Sequence, residues 1–162
     1  MSIKGWLLAG AAVGALGAGV ANAQPSFTLN PSAVGLNGTA FTANNETLAD
    51  FATITLFPPS QSGPTLFTDN GTLAISTFGN GSSIIVPPGL NTSGGYALYY
   101  QFQGSGQQNT PTVGTGTVGT FSSLNFQFYG APITGSGVTY STTGGTPTGI
   151  GTPIELATGS FI

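Results

Sequence analysis

Four carboxylates are the side chains of this 162-residue sequence that best suit acid–base chemistry. They are Glu46, Asp50, Asp69 and Glu155, and the chain contains no His and no Cys. Ser-His and Cys-His nucleophile pairs and the usual zinc ligand sets are therefore excluded. A carboxylate pair of the glycosidase type is the remaining catalytic option. Carboxylates on the surface of a nearly neutral protein more commonly keep it soluble, so we predict no catalytic residue and no enzyme.

The spacing of the carboxylates offers little for a metal ion. Glu46 and Asp50 are four residues apart on residues 44–51, which could form one helical turn. Asp69-Asn70-Gly71 could offer oxygen ligands to calcium. The same three residue types are common in turns for backbone reasons alone, and we favour that interpretation. We therefore expect neither a metal nor a cofactor.

Tyrosines are the side chains that could recognise a ligand without catalysis. Tyr99, Tyr129 and Tyr140 have Gln or Asn neighbours, so exposed rings could stack on sugars while the amides bind hydroxyl groups. Tyrosine also suits a strand with one wet end, and this interpretation is favoured. A secreted carbohydrate-binding module, with Tyr99 and Tyr129 as glycan contacts, remains the alternative function.

The N-terminus predicts export. Residues 1–4 are cationic, residues 5–20 are an apolar run, and Ala21 and Ala23 fit the small-x-small rule for cleavage before Gln24. The apolar run is shorter than the roughly 20 residues of a transmembrane helix. We therefore assign residues 1–23 to a signal peptide and 24–162 to one extracellular or cell-surface domain.

Removal of the leader also removes the one basic residue, Lys4. Nucleic-acid binding requires Lys and Arg to neutralise phosphates, so that class is excluded. Attraction to anionic lipid head groups needs the same cations, and residues 24–162 contain no apolar run that would predict a membrane span. The expected partners are exopolysaccharide or other components of the cell surface.

Strands are the elements that must position these side chains. Residues 50–57, 95–103 and 120–130 alternate apolar and polar residues, which predicts strands with one core face and one uncharged polar face. Residues 65–78 carry Asn70-Gly71 at their middle, which predicts a hairpin. Weaker strands are expected at residues 26–30, 39–43, 83–86, 138–142 and 153–157.

Stretches rich in Gly and Pro predict the connections. Loops are expected at residues 58–64, 87–94, 104–119 and 135–151. Without Cys, an exported chain must be stabilised by its hydrophobic core, and this length suffices for one domain. The sequence therefore predicts an all-β, antiparallel, sandwich-like fold.

Six short segments, taken in order, resemble the flocculation-associated PEP-CTERM proteins of bacteria that make exopolysaccharide. They are residues 27–33 (FTLNPSA), 39–44 (TAFTAN), 71–78 (GTLAISTF), 94–102 (GGYALYYQF), 121–129 (FSSLNFQFY) and 155–161 (ELATGSF).

The resemblance implies an exported β-sandwich protein that an exosortase system sorts to the cell surface and that promotes flocculation or biofilm association. It implies no catalytic residues. The family's sorting region, a Pro-Glu-Pro motif followed by a membrane helix and basic residues, is not found in the 162 residues. The expectation that follows is a C-terminally truncated family member with a structural or adhesive role.

Overall fold

The computed structural model describes residues 25–57, 64–108, 119–142 and 145–161. The predicted all-β, antiparallel, sandwich-like fold is confirmed. The strands are β1 (Phe27–Leu29), β2 (Phe41–Ala43), β3 (Asn45–Phe57), β4 (Thr65–Asn80), β5 (Ser83–Ile85), β6 (Tyr96–Gln108), β7 (Gly119–Pro132) and β8 (Ile154–Phe161). A short 3-10 helix, Pro31–Val34, separates β1 from β2.

The cleavage residues Ala21, Ala23 and Gln24 lie outside the described residues, so the signal peptide stays a prediction.

The main sheet is an antiparallel meander. Its strand order is β3-β4-β6-β7-β8, and the short β5 pairs with one end of β4. β1 and β2 pair with each other as a separate two-stranded sheet. The described residues include no helix that is long and apolar enough to span a membrane.

Alternation along the strands gives the main sheet two different faces. On β6, Leu98 and Tyr100 lie on one face, which we call the core face, while Tyr99 and Gln101 lie on the opposite face, which we call the polar face. The β6–β7 register places Phe128 opposite Tyr100 and thereby continues the core face onto β7. The predicted alternation of residues 95–103 and 120–130 therefore matches the two faces of the central strands.

The hydrophobic core lies at one end of the core face. There, Ile75, Phe78, Leu98 and Phe128 are buried, and the β1–β2 pair packs against them through Phe27 and other apolar residues. Burial of each such side chain stabilises the fold by about 1.5–3 kcal/mol relative to leaving it in water. The small sheet therefore forms the second layer of the sandwich over this end alone.

The predicted hairpin at Asn70-Gly71 is wrong, because β4 runs without interruption from Thr65 to Asn80. β4 pairs along its length with β3 and along residues 65–74 with β6, and these two ladders hold the chain extended. Gly71 serves a different purpose: a Cβ atom there would lie 2.5 Å from the carbonyl oxygen of Phe51 and 2.6 Å from the Cα of Ala52. The glycine allows close approach of β3 instead of a turn.

Two further expectations for β3 are wrong. Residues 45–51 form the start of this strand and not a helical turn. Ile54 and Leu56, which the alternation placed on a core face, are 61% and 53% exposed. No second layer of described residues covers this end of the core face, because β1 and β2 pack at the opposite end.

The weaker strands and loops were predicted with mixed success. The strands predicted at 26–30, 39–43, 83–86 and 153–157 correspond to β1, β2, β5 and β8. Residues 138–142 form no strand and contribute one isolated bridge, Thr139 to Thr148. Residues 104–108 belong to β6, because the Gly residues there pair with β4 and β7. The rest of that predicted loop, 109–118, and residues 58–63 lie outside the described residues.

Candidate functional site

The polar face carries a cleft of about 800 Å³ that crosses the central strands. Five amide side chains line it, and we call it the amide cleft: Asn70, Gln101, Gln103, Asn125 and Gln127. Gly145, from the connection between β7 and β8, also contributes to its wall. The cleft therefore presents neutral hydrogen-bonding groups on a rigid sheet.

Strand register arranges these amides in two parallel rows. The first row runs from Asn70 through Gln103 and Asn125 to Ser160. The second row contains Thr72, Gln101, Gln127 and Thr158. Neighbouring strands are about 4.8 Å apart, and side chains two residues apart on one strand are separated by about 7 Å. The two rows thus form a regular grid of amide and hydroxyl groups.

Most of this hydrogen-bonding capacity is unused within the chain. Gln127 donates its Nε2 to a carboxylate oxygen of Glu155 at 3.2 Å. The side chains of the other four amides have no hydrogen-bond partner among the described residues. Each amide group offers two N–H donors and a carbonyl acceptor. The cleft can therefore hydrogen-bond an external ligand that both donates and accepts.

A pair of tyrosines, Tyr99 and Tyr129, follows the Gln101–Gln127 pair on the same face of β6 and β7. The rings of Tyr99 and Tyr129 stack at 5.5 Å between centroids, and the rings of Tyr99 and Tyr140 meet edge-to-face with 6.1 Å between centroids. Tyr140 also stacks on Phe51 of β3 at 5.2 Å. Thr53 donates a hydrogen bond to the carbonyl oxygen of Thr142, which helps to hold this segment against the sheet.

The expected exposure of Tyr99 is therefore wrong, since the side chain is 1% exposed. The segment around Tyr140 folds back over the polar face and covers the ring of Tyr99. Burial, followed by the neighbouring Tyr129 and Tyr140 rings, raises the pKa of Tyr99 to about 12. Tyr129 is half-buried beside Gln127 and stays a candidate glycan contact.

The four carboxylates do not converge on the amide cleft. Glu46, on β3, accepts a hydrogen bond from the hydroxyl group of Tyr100 at 3.0 Å, and burial raises its pKa. Asp69 also has a raised pKa, because it is desolvated by burial and repelled by the charge of Asp50. Glu155 is exposed on β8.

Glu46 and Asp50 lie in an extended strand, where residues four apart are separated by about 13 Å. Within the described ranges, no three His, Cys, Asp or Glu side chains gather as a metal site would require. Asn70, which was considered with Asp69 as a calcium turn, faces the amide cleft from the middle of β4.

The amide cleft was not predicted from the sequence, although the sequence assigns the amides of two of its strands to the polar face. Gln101 and Gln103 on β6, and Asn125 and Gln127 on β7, each follow the period of two that assigns them to the polar face. The alignment of the two pairs depends on strand register, which alternation does not determine.

Comparisons of the chain with protein-family models, with curated proteins and with solved structures gave no match.

Proposed function

We propose that this chain is an exported protein of the cell surface or extracellular matrix that promotes flocculation or biofilm association through contact. The observation that carries the proposal is an apolar surface at the end of the β3–β4 pair farthest from the core. Ile54 and Leu56 are each more than half exposed there on the core face. Leu66, also more than half exposed, and its cross-strand partner Phe57 are exposed on the polar face of the same end. Clustered exposed apolar side chains are typical of surfaces that bind other macromolecules.

The low charge of the chain supports the same role. Beyond residue 23 it carries four carboxylates and no basic side chain, so two copies, or a copy and a neutral matrix, repel each other weakly. Low net charge promotes association. The outer strands β3 and β8 also expose backbone groups along the edges of the main sheet, which is a further route to contact.

The six segments that resemble flocculation-associated proteins are consistent with this proposal. They cover β1, β2 and parts of β4, β6, β7 and β8, which together form most of the described sheet. A role by contact requires no convergent acid and base, and the four carboxylates are distributed over the three strands β3, β4 and β8.

Deletion of the gene in the producing bacterium tests the function. We expect the deletion strain to settle and form flocs more slowly than its parent. The full gene should restore flocculation, and a gene lacking residues 2–23 should not, because its product stays inside the cell. Unchanged flocculation in the deletion strain contradicts the proposal.

A variant of the apolar surface tests the observation that carries the proposal. The triple variant Ile54→Ser, Leu56→Ser, Leu66→Ser should restore flocculation less than the parent chain, because it removes exposed apolar area. Ile84→Ser is the matched control, since Ile84 is 79% exposed on β5, at the other end of β4. Equal restoration by the triple variant and the control contradicts a role for this surface.

A further inference from the structure

We propose that the amide cleft binds an uncharged polysaccharide, which lies across β4, β6, β7 and β8 with its hydroxyl groups hydrogen-bonded to the two amide rows. The inference rests on the proposed function, because a matrix protein meets such a chain in its working environment. It adds the class of partner and the residues that bind it.

The geometry of the rows favours an extended, repeating ligand. Asn70, Gln103 and Asn125 follow one another at the strand spacing of about 4.8 Å, which is comparable with the length of a sugar ring. A glycan placed along a row therefore meets a new amide with each successive ring. Several weak contacts of this kind add up through multivalency, so no single contact needs to be strong.

The chemistry of the amides matches hydroxyl groups. A sugar hydroxyl donates one hydrogen bond and accepts others, and a side-chain amide does both from its two ends. Gln101, Gln103 and Asn125 have no side-chain hydrogen bond within the described residues, so binding breaks none of the chain's own bonds there. Only bound water must be displaced, and the hydroxyl groups replace its hydrogen bonds.

Charge selects a neutral glycan over an acidic one. The carboxylate of Glu155 accepts a hydrogen bond from Gln127 at the side of the cleft, and beyond residue 23 the sequence has no Lys, Arg or His to balance a uronate or phosphate. An anionic polysaccharide would therefore meet repulsion without a compensating ion pair.

An aromatic side chain next to the amide rows adds a further contact for the glycan. Tyr129 lies next to Gln127 on the same face of β7, and the partly exposed side chain offers an apolar surface to the C–H groups of a sugar. Its ring is held by stacking on the buried Tyr99, so its orientation is fixed before the ligand arrives.

Affinity electrophoresis of the full chain tests the inference. The gels contain dextran, galactomannan or xyloglucan as neutral probes, and alginate as the anionic probe. We expect at least one neutral probe to retard the chain and alginate not to do so. The double variant Gln103→Ala, Asn125→Ala should bind the retarding probe at least about tenfold more weakly, the effect expected for loss of two hydrogen bonds of about 1 kcal/mol each.

Gln107→Ala is the matched control, because Gln107 is exposed on the same strand and the same face but outside the cleft. Both altered residues of the double variant are exposed, and unchanged thermal unfolding shows that the fold is retained. Absence of retardation by all three neutral probes overturns the inference. Stronger retardation by alginate, or equal loss in the Gln107→Ala control, also overturns it.

The two proposals fail separately. A double variant that has lost glycan binding is returned to the deletion strain, and flocculation is measured. If the parent chain binds no neutral glycan while the gene is still needed for flocculation, the inference about the cleft fails and the proposed function stands. If the chain binds glycan through the cleft but the deletion strain flocculates normally, the proposed function fails.

Discussion

At the scale of single residues, the contact between Tyr100 and Glu46 governs how the fold responds to mild acid. Burial raises the pKa of Glu46 above 4.5, and the hydrogen bond from Tyr100 opposes part of that rise. The folded chain therefore binds a proton at a higher pH than the unfolded chain does. This group's contribution to stability is complete below its unfolded pKa and is lost as the pH rises through its folded pKa.

Glu46→Gln should therefore raise the melting temperature at neutral pH by a few degrees and flatten the decline in stability between mildly acidic and neutral pH. The amide removes a desolvated charge and can still accept the bond from Tyr100. Melting curves across this pH range provide the measurement. Glu155→Gln is the control, because Glu155 is exposed and its replacement should change the curve little. A Glu46→Gln variant that melts below the parent at neutral pH would contradict the expectation.

At the scale of elements, the close approach of β3 and β4 depends on one glycine. The Cβ of Gly71→Ala would meet the backbone of Phe51 and Ala52, and backbone atoms cannot rotate away as side-chain atoms can. We expect the free energy of unfolding to fall by about 2 kcal/mol or more, at the upper end of overpacking effects.

Chemical denaturation measures that loss. The matched control is Gly137→Ala, because no heavy atom lies within 4 Å of a Cβ at Gly137 and its φ is not positive. The control should change stability by less than about 0.5 kcal/mol. A loss for Gly71→Ala as small as that of the control would contradict the expectation, because it would show that the strands separate to admit the methyl group.

Elements were predicted well where the signal is local. Alternation within 95–103 and 120–130 identified β6, β7 and their two faces, because the side-chain direction in a strand reverses at each residue. The hairpin predicted at Asn70-Gly71 was wrong, because a dipeptide that permits a turn does not require one. Pairing on both sides of β4 keeps this segment extended. The amide cleft combines side chains from four strands. The residue types on each strand can be read from the local sequence, but the alignment of one strand with the next cannot.

At the scale of the whole molecule, buried tyrosines make the stability of the fold depend on pH in the alkaline range. Burial raises the pKa of Tyr96, Tyr99 and Tyr140 from 10.0 to about 12 in each case, and the pKa of Tyr100 is raised further by burial and the adjacent Glu46. These rings join both faces of the sheet to the segments that cover them. Stability from Tyr96, Tyr99 and Tyr140 is complete below pH 10 and is lost as the pH rises through about 12.

An alkaline titration should therefore unfold the chain cooperatively. Tyrosinate absorbance and far-ultraviolet circular dichroism, followed on the same samples, should change together above pH 10. Tyr129 is half-buried and is paired with a single ring, so Tyr129→Phe should leave the transition in place, whereas Tyr100→Phe should alter it. Full tyrosine ionisation with the sheet signal intact would contradict the prediction.

The meander order of the main sheet has a kinetic consequence. β4 pairs with β3, β7 with β6 and β8 with β7, and only the short β5 intervenes between β4 and its next long partner, β6. These pairings join strands that are consecutive in the chain or separated only by β5, and the longest connection is the 21 residues between β7 and β8. The entropy lost before contacts form is therefore small for a β protein. The sheet can therefore grow one hairpin at a time, in the order in which the chain is synthesised. Such a chain can reach its native state with no disulfide to guide it, and the sequence contains no cysteine to form one.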